Sequence, residues 1–472
     1  MKSHVEIEAK YDVAKGQALP DLVGVGGVVT IDAQATRVLT AVYFDTAGHD
    51  LGAAGVTLRR RTGGTDDGWH LKVTLAHGER LELHRPLGVR LSPPAALRAL
   101  VRANARSNPL VAVATLTNRR TVQLLLDGDR RVLAELADDS VTGERHDVDT
   151  APMVWREVEL ELVEGDREVL AALDAAVREG GAVPAVGASK VGRVLGDSPT
   201  ILVRGRRTSV SAVFDADVRQ AVLRLLSADP LVRLDRPGAA ARLAAALRRL
   251  DAYLALQQRV APDESRGPIR GELAWLDAVV ATLAELDPVR ARLLEALSAE
   301  LVPAPARRRI VRELAAARRT ALADVRQALD SPRYLDLVQS LSDLRATPLS
   351  ARAVDVLPKV AARELRRAQR RLATLSPDAV AAAEMAVAQA NCAEHPAAVL
   401  VVLDELSATF ADLRVSARMQ DMLGDLALSA SESAFTLGRL HGLEQLRARE
   451  LHQRLRALRK MLKRTGATSR HR

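Results

Sequence analysis

His4-Val5-Glu6-Ile7-Glu8-Ala9-Lys10 is the stretch that decides how the first half of this chain folds. Val5 to Lys10 reads as a β-strand, and a strand sends alternate side chains to the same face. Glu6, Glu8 and Lys10 therefore share one face, and Val5, Ile7 and Ala9 share the other. A face of two carboxylates and an ammonium makes a poor core, because buried charge must be paired or bound to metal. It makes a suitable wall for a site that holds a cation and a phosphate chain.

The same pattern continues along the next two hundred residues. Strand-like runs follow at Thr40–Phe44, Val56–Arg61, Trp69–Leu75, Arg80–His84, Thr121–Leu126, Arg131–Ala137 and Arg156–Val163. Turn signals separate several of them, at Gly63-Gly64, Asp67-Gly68, His77-Gly78 and Asp127-Gly128. Short turns between successive runs imply an antiparallel meander, with helical insertions at Pro94–Ala105 and Asp166–Glu179. Arg59 and Arg61 share a face, as do His70, Lys72 and Thr74, and likewise Arg80, Glu82 and His84. Glu135 and Asp139 share a face, and Glu157, Glu159 and Glu161 lie opposite Val158, Leu160 and Leu162. Half-exposed sheets also show one charged face. Here, however, Glu lies on the first and last strands and Arg or Lys on the middle ones, and three Glu side chains at close spacing repel if merely solvated. A closed sheet with these faces turned inward gives a polar tunnel. In such a tunnel Arg offers paired donors to phosphoryl oxygens, and clustered Glu oxygens suit a hard divalent cation such as Mg²⁺ or Mn²⁺.

The chain has 472 residues, 48% of them hydrophobic, with only 2% aromatic. That length supports two or more domains with separate cores built from Leu, Val and Ala. The formal net charge of +9 favours polyanionic partners, although an Arg- and Ala-rich composition also follows from a genome's base composition. A single cysteine, Cys392, excludes a disulfide framework and a Cys-rich metal site within one chain. Glu6 and Glu8 interrupt any signal-peptide core, and no apolar run is long enough to span a membrane. The expectation is a soluble, cytoplasmic protein.

From about residue 212 the rhythm becomes helical, with apolar residues at helix spacing in Asp217–Leu226, Ala239–Gln257, Gly271–Leu286, Arg307–Leu329, Ala351–Leu375, Asp378–Ala390, Pro396–Met422 and Ser433–Leu462. The expected organisation is residues 1–200 as the strand-rich domain, 201–211 as a basic linker, 212–465 as the helical domain and 466–472 as a disordered tail. Basic stripes mark three helices: Arg363, Arg366, Arg367, Arg370 and Arg371; Arg449, His452, Arg456, Arg459, Lys460 and Lys463; and Arg308, Arg312 and Arg319. A solvated face explains any one of them. Several sharing a groove would bind a polyanion.

Glu6-Ile7-Glu8-Ala9-Lys10 resembles the ExExK signature of the CYTH superfamily, the triphosphate tunnel metalloenzymes. Further matches follow in order: Tyr43-Phe44-Asp45-Thr46, Leu51 and Gly55 leading into Leu58-Arg59-Arg60-Arg61, Trp69-His70-Leu71-Lys72, Arg80 with Glu82, Arg119-Arg120-Thr121, Ala134 to Asp139, Glu157-Val158-Glu159-Leu160-Glu161, and Ser189-Lys190. The resemblance implies an eight-stranded antiparallel β-tunnel, an α+β fold, enclosing a divalent cation and a triphosphate. It implies Glu6, Glu8 and Lys10 as catalytic residues and Lys10, Arg59, Arg61, Lys72, Arg80, Arg119 and Lys190 as the phosphate-binding set. The metal set it implies is Glu6, Glu8, Glu135, Asp139, Glu157 and Glu159, with Mg²⁺ or Mn²⁺ as cofactor. Arg85 competes with Arg80, though its parity is wrong unless a bulge intervenes, and Asp138 competes with Asp139, which parity with Glu135 favours. His70 and His84 are read as bystanders.

The helical half resembles a CHAD domain, an all-α helical bundle often found behind CYTH domains and associated with polyphosphate. The best-matching segments are Ser331-Pro332-Arg333-Tyr334-Leu335-Asp336-Leu337 and Leu406–Gly424. The two helices that usually carry a His followed by spaced Arg and Lys instead read Val232-Arg233-Leu234-Asp235-Arg236-Pro237-Gly238 and Val380 to Cys392. Polyphosphate binding is therefore not carried over residue by residue, and a scaffold or dimerisation role stands beside it. The two resemblances imply a metal-dependent hydrolase of inorganic triphosphate or a related triphosphate. Thiamine triphosphate hydrolysis, cyclisation of ATP by a class IV-type adenylate cyclase, and a non-enzymatic polyphosphate-binding adaptor are the alternatives. The partners expected are a triphosphate-bearing small molecule, inorganic polyphosphate, and a second copy of the chain. No membrane partner is expected. Nucleic acid is disfavoured, because few aromatics are available for base stacking.

Overall fold

The computed structural model describes residues 2–75, 79–185, 187, 189–196, 209–299, 304–345, 351–374, 380–393, 395–429 and 434–468. The chain divides into two compact units, Met1–Val203 and Arg204–Arg472. Of the expected linker, residues 201–208 lie outside the described residues, as do the turn at His77-Gly78 and residues 469–472 of the tail.

Eleven strands make one antiparallel sheet in the first unit: β1 (Lys2–Glu6), β2 (Glu8–Asp12), β3 (Thr30–Ala33), β4 (Arg37–Asp45), β5 (Val56–Thr62), β6 (Gly68–Thr74), β7 (Arg80–Pro86), β8 (Val111–Leu126), β9 (Val132–Arg145), β10 (Met153–Leu162) and β11 (Val183–Pro184). The hydrogen-bonded order is β1-β7-β6-β5-β4-β8-β9-β10-β2-β11, with β3 added alongside β8. β1 and β2 are one run interrupted only at Ile7. Its first half pairs with β7, through Glu6 opposite Arg80, and its second half with β10, through Lys10 opposite Glu159. The opening stretch thus sews the two edges together. The sheet closes as eight strands, β1/β2 counting once, with β3 and β11 as additions outside the ring. Closure removes the exposed edges that an open sheet would leave.

Burial along the opening strand inverts the usual rule. Glu6 is 3% exposed while Val5 is 40% exposed, so charge points inward and part of the apolar face meets solvent. Elsewhere the outer face is covered. Tyr11, Leu136, Val158 and Leu160 pack with Leu173 and Val177 of helix α4, described next.

Five helices accompany the sheet: α1 (Asp50–Ala53), α2 (Ala95–Leu100), α3 (Arg102–Ala105), α4 (Arg167–Glu179) and α5 (Lys190–Leu195). Asp166 caps α4 by accepting the backbone N–H groups of Glu168 and Val169. Val191, Val194 and Leu195 of α5 cluster with Ala41, Leu116 and Val141. Ala41 and Leu116 also line the cavity inside the sheet, so α5 stoppers one end of the tunnel. Gly143 makes this possible, because a Cβ there would run into the Val194 side chain. Gly63 serves the β5–β6 turn. Its φ of +94° suits glycine, and a Cβ would collide with the Val38 carbonyl.

Helices make up most of the second unit's described residues: α6 (Val210–Arg233), α7 (Ala239–Val260), α8 (Arg266–Ala299), α9 (Ala304–Asp330), α10 (Pro332–Asp343), α11 (Ala353–Arg371), α12 (Val380–Asn391), α13 (Ala397–Ser429) and α14 (Ala434–Thr468). α14 therefore continues beyond residue 465, and α6 begins before 212. α8 runs through Pro288 rather than stopping near Leu286. Val289, Leu293 and Leu297 are essentially fully buried at four-residue spacing. They pack against Ile310, Leu314, Met419 and Leu423, and that burial outweighs the hydrogen bond a mid-helix proline forfeits. A second apolar cluster joins α11, α12, α13 and α14 around Leu403, Leu406, Phe410 and Leu455. α10 escapes the periodicity reading because it is short; Ser331 caps it by accepting the Tyr334 N–H. No helix among the described residues is long and apolar enough to cross a membrane.

Candidate active site

Inside the closed sheet lies a cavity of about 240 Å³ walled mostly by charged side chains. Seven basic side chains line it, Lys10, Arg59, Arg61, Lys72, Arg80, Arg120 and Lys190, with seven acidic ones, Glu6, Glu8, Asp66, Glu82, Glu135, Glu159 and Glu161. The alternation of each strand delivers them. Glu6, Glu8 and Lys10 come from the opening run, Arg59 and Arg61 from β5, Lys72 from β6, Arg80 and Glu82 from β7, Glu135 from β9, and Glu159 and Glu161 from β10.

Two networks organise the walls. In the first, Lys72 donates to both Glu6 carboxylate oxygens at 2.7 Å and lies 3.7 Å from Glu82. Glu82 is also contacted by His70 Nδ1 at 2.8 Å and by Arg59 at 3.7 Å. Burial, followed by a hydrogen bond shared with Glu82, pushes the Glu6 carboxyl up to about 8, against the pull of Lys72. Burial works the same way on Glu82, but His70, Lys72 and Arg59 outweigh it and hold that carboxyl well below the usual range. The two carboxyls share a hydrogen bond and titrate as a pair.

The second network centres on Lys190, the first residue of α5. Its ammonium lies 3.1 Å from Asp139, 3.0 Å from Glu157 and 2.6 Å from Glu159. Glu159 also pairs with Lys10 and with Arg120 at 2.6 Å, and Arg120 forks onto both Asp139 oxygens at 2.8 and 2.6 Å. Lys10 reaches Glu8 at 2.9 Å, and Arg80 reaches Glu8 at 3.2 Å. Asp139 and Glu157 lie buried beneath Lys190.

Arg119 corrects the expectation from sequence. It is exposed, and Arg120 takes the place inside. Leu116, Asn118 and Arg120 share the inward parity of β8, so Arg119 must point out. Asp139 does face Lys190 while Asp138 turns away to pair with Arg156 at 2.8 Å. Arg80, and not Arg85, lines the cavity. Besides Arg120, the polar and ionisable lining residues beyond the expected set are His4, Tyr43, Thr57, Asp66, Glu82, Asn118, Glu161 and Ser189. Parity with Glu157 and Glu159 marks Glu161, and parity with Arg80 marks Glu82. Nothing in the sequence distinguishes Asp66, which sits in a turn and pairs with Arg61.

The donors and acceptors suit an anion and a cation together. Arg59 accepts no company easily: Tyr43 receives one of its N–H groups at 3.2 Å, yet Arg59 Nε and Arg61 Nε are buried with no hydrogen-bond partner. Burial and then the charges of Arg59 and Arg120 push the Arg61 guanidinium down to about 9. Clustered guanidiniums with orphaned donors are the complement of a multiply charged oxyanion. For a cation, Glu161 stands directly opposite Glu8 on β2 and Glu135 on β9, a row of like charges that opposes pairing. No hydrogen bond or ion pair reaches Glu161 among the described residues. Burial, with Glu8, Glu159 and Glu135 reinforcing it against Lys72, pushes its carboxyl up to about 7. Ligand atoms of His4, Glu6 and Glu161 lie within 4.8 Å of one another, close enough to share one ion.

The basic stripes of the second unit face solvent. Arg363, Arg366, Arg370, Arg371, Arg449, Arg456, Lys460, Lys463, Arg308, Arg312 and Arg319 are exposed, and Arg367, His452 and Arg459 are half-buried.

Comparison with known proteins agrees with both units. A CYTH domain model matches residues 4–179, and a CHAD domain model matches residues 216–471. Two uncharacterised proteins of Mycobacterium tuberculosis, from strains CDC 1551 and H37Rv, are each 34% identical over 359 residues, covering 72% of this chain and 70% of theirs. Among solved structures, the CHAD domain from the plant Ricinus communis is 17% identical with a TM-score of 0.45, covering 54% of this chain and 92% of that one. PptA from Streptomyces chartreusis is 21% identical with a TM-score of 0.45, covering 54% and 100%. From the charged tunnel at its start to the helices at its end, the chain belongs to the proteins that carry a CYTH domain followed by a CHAD domain.

Proposed function

We propose that the N-terminal unit hydrolyses a small triphosphate with the aid of a divalent cation, inorganic tripolyphosphate being the substrate that suits the cavity best. The observation that carries this reading is that Arg59, Arg61 and Arg120 line one cavity while Arg59 Nε and Arg61 Nε are buried without a hydrogen-bond partner, donors that suit an oxyanion chain. A cavity of about 240 Å³ falls below the roughly 300–1,000 Å³ that organic ligands of drug size occupy. Its one aromatic wall residue besides His4, Tyr43, is engaged by Arg59, which leaves no stacking surface for a thiazolium or an adenine. This favours the inorganic chain over thiamine triphosphate and over ATP cyclisation.

In hydrolysis a water oxygen bonds to the terminal phosphorus, and the bond from that phosphorus to the bridging oxygen breaks. The bridging oxygen leaves with the electron pair, and the water's proton ends on the leaving group or in solvent. Arg59, Arg61 and Arg120 would bind and align the phosphoryl oxygens, with Lys10, Lys72, Arg80 and Lys190 adding positive charge along the chain. Glu6 and Glu161, with Glu8 and Glu135 nearby, would hold the cation. When bound, that cation would neutralise charge developing on the phosphoryl oxygens and polarise the water. The closed sheet and the α5 stopper limit bulk water around these charges, which strengthens every interaction in the site.

The test is phosphate release from tripolyphosphate by the full chain with Mg²⁺ or Mn²⁺. Release is expected from wild type and not from the Glu6→Ala, Glu8→Ala double variant. Equal release from both, or none from either, would refute the hydrolase.

A further inference from the structure

We propose that His4 supplies a nitrogen ligand to the cation at the Glu6 and Glu161 end of the tunnel, so that this chain takes Mn²⁺ and other first-row transition-metal cations in preference to Mg²⁺. The inference rests on the reading that the tunnel binds a divalent cation, and is independent of which triphosphate is hydrolysed.

Strand register makes the first link. His4 lies two residues before Glu6 on β1, so it shares the inward face, and it stands opposite Glu82 on β7. Its ring lines the cavity at the solvent-facing end, with 56% of the side chain exposed. His4 Nε2 lies 3.5 Å from Glu6 Oε1 and 3.5 Å from Glu82 Oε2. Ligand atoms bound at about 2.1 Å and at right angles stand roughly 3 Å apart, so small rotations of an exposed imidazole bring nitrogen and carboxylate oxygen to one ion.

Competition for the other carboxylates makes the second link. Glu8, Asp139, Glu157 and Glu159 are each held by a lysine or arginine of the second network. Glu161 is engaged by none of them and belongs with His4 and Glu6 in the one cluster of metal-binding geometry found among the described residues. Of the three, only Glu6 is held by a lysine, Lys72 at 2.7 Å, so a cation here displaces that one ammonium and finds a nitrogen among its available ligands. Imidazole suits transition metals, whereas Mg²⁺ favours an all-oxygen shell with retained waters.

The experiment is electron paramagnetic resonance on the full chain loaded with Mn²⁺ at about pH 8, with pulsed detection of ¹⁴N coupling, alongside calorimetric titration with Mn²⁺ and Mg²⁺. Wild type is expected to show histidine nitrogen coupling that His4→Ala abolishes. That variant should lose roughly 10- to 100-fold in Mn²⁺ affinity, with a much smaller change for Mg²⁺. Mn²⁺ bound without nitrogen coupling, or equal losses for both ions in His4→Ala, overturns the role of His4 while leaving the cation site intact. Glu161→Gln separates the two readings: weakened binding of both ions there upholds the cation site, and no binding of either ion to wild type overturns both.

Discussion

Replacing Lys190 with methionine removes the centre of the second network. The Lys190 side chain is 6% exposed, and its three partners are between 0% and 13% exposed. Breaking a buried ion pair by deleting one partner costs about 3–5 kcal/mol, chiefly because the remaining charge is stranded. For a unit of this size each kcal/mol shifts Tm by about 2–4 °C, so the N-terminal unit should melt roughly 6–20 °C lower. The pH dependence has a definite sign. Lys10, Lys190 and Arg120 outweigh burial and hold Glu159 well below the ordinary carboxylate range; Lys190 and Arg120 do the same for Asp139. Their contribution is present above the ordinary carboxylate pKa of about 4 and fades as pH falls through their lower folded values. In the variant these carboxylates rise and take up protons sooner. The gap between the two proteins should be full at neutral pH and close as pH falls through the carboxylate range. Tryptophan fluorescence in a Trp275→Phe background follows the melt, because Trp69 and Trp155 then report the first unit alone. Adding Glu159→Gln to Lys190→Met should restore part of the lost stability. An unchanged Tm at neutral pH, or a gap that widens towards acid, would refute the buried network.

Arg120→Ala should lower kcat/KM for tripolyphosphate by roughly tenfold or more, the worth of a charge-assisted hydrogen bond. Arg119→Ala should stay within about twofold, and steady-state kinetics of the pair decides between the two arginines. Cation binding at about pH 7 should release between one and two protons, because the Glu6 carboxyl is pushed up to about 8 and that of Glu161 to about 7. Calorimetry in buffers of different ionisation enthalpy reads this release, which should vanish well above both values; heats independent of buffer would contradict it. Burial pushes the Cys392 thiol up to about 12, so alkylation of the folded chain should be slow and still rising with pH beyond 10. Rapid labelling that levels off below pH 10 would place Cys392 in a different environment.

The tunnel was legible in the sequence because period-two alternation and clustered like charges survive in β5, β6, β7 and β10. The opening run was legible for the same reason, and its parity identifies which side of it is the interior. Legibility failed in β8, where Thr115, Thr117, Asn118, Arg119 and Arg120 are polar on both faces. A strand with a polar interior and a polar exterior carries no alternation, so neither its first half nor the choice between Arg119 and Arg120 could be read. Glu161 is visible by parity, but its distinction, that no hydrogen bond or ion pair reaches it among the described residues, exists only in space. Asp66 depends on the fold of a turn. In the helical unit, burial at Val289, Leu293 and Leu297 overrides the stop that Pro288 signals, an outcome decided by packing against α9 and α13.

A crystal structure of the full chain grown with tripolyphosphate and Mn²⁺, with anomalous data collected at the manganese edge, tests the central claim most directly. The account predicts an anomalous peak between Glu6 and Glu161, with phosphate density running past Arg59, Arg61 and Arg120. Manganese or phosphate found only on the outer surface, with the tunnel holding neither, would contradict it.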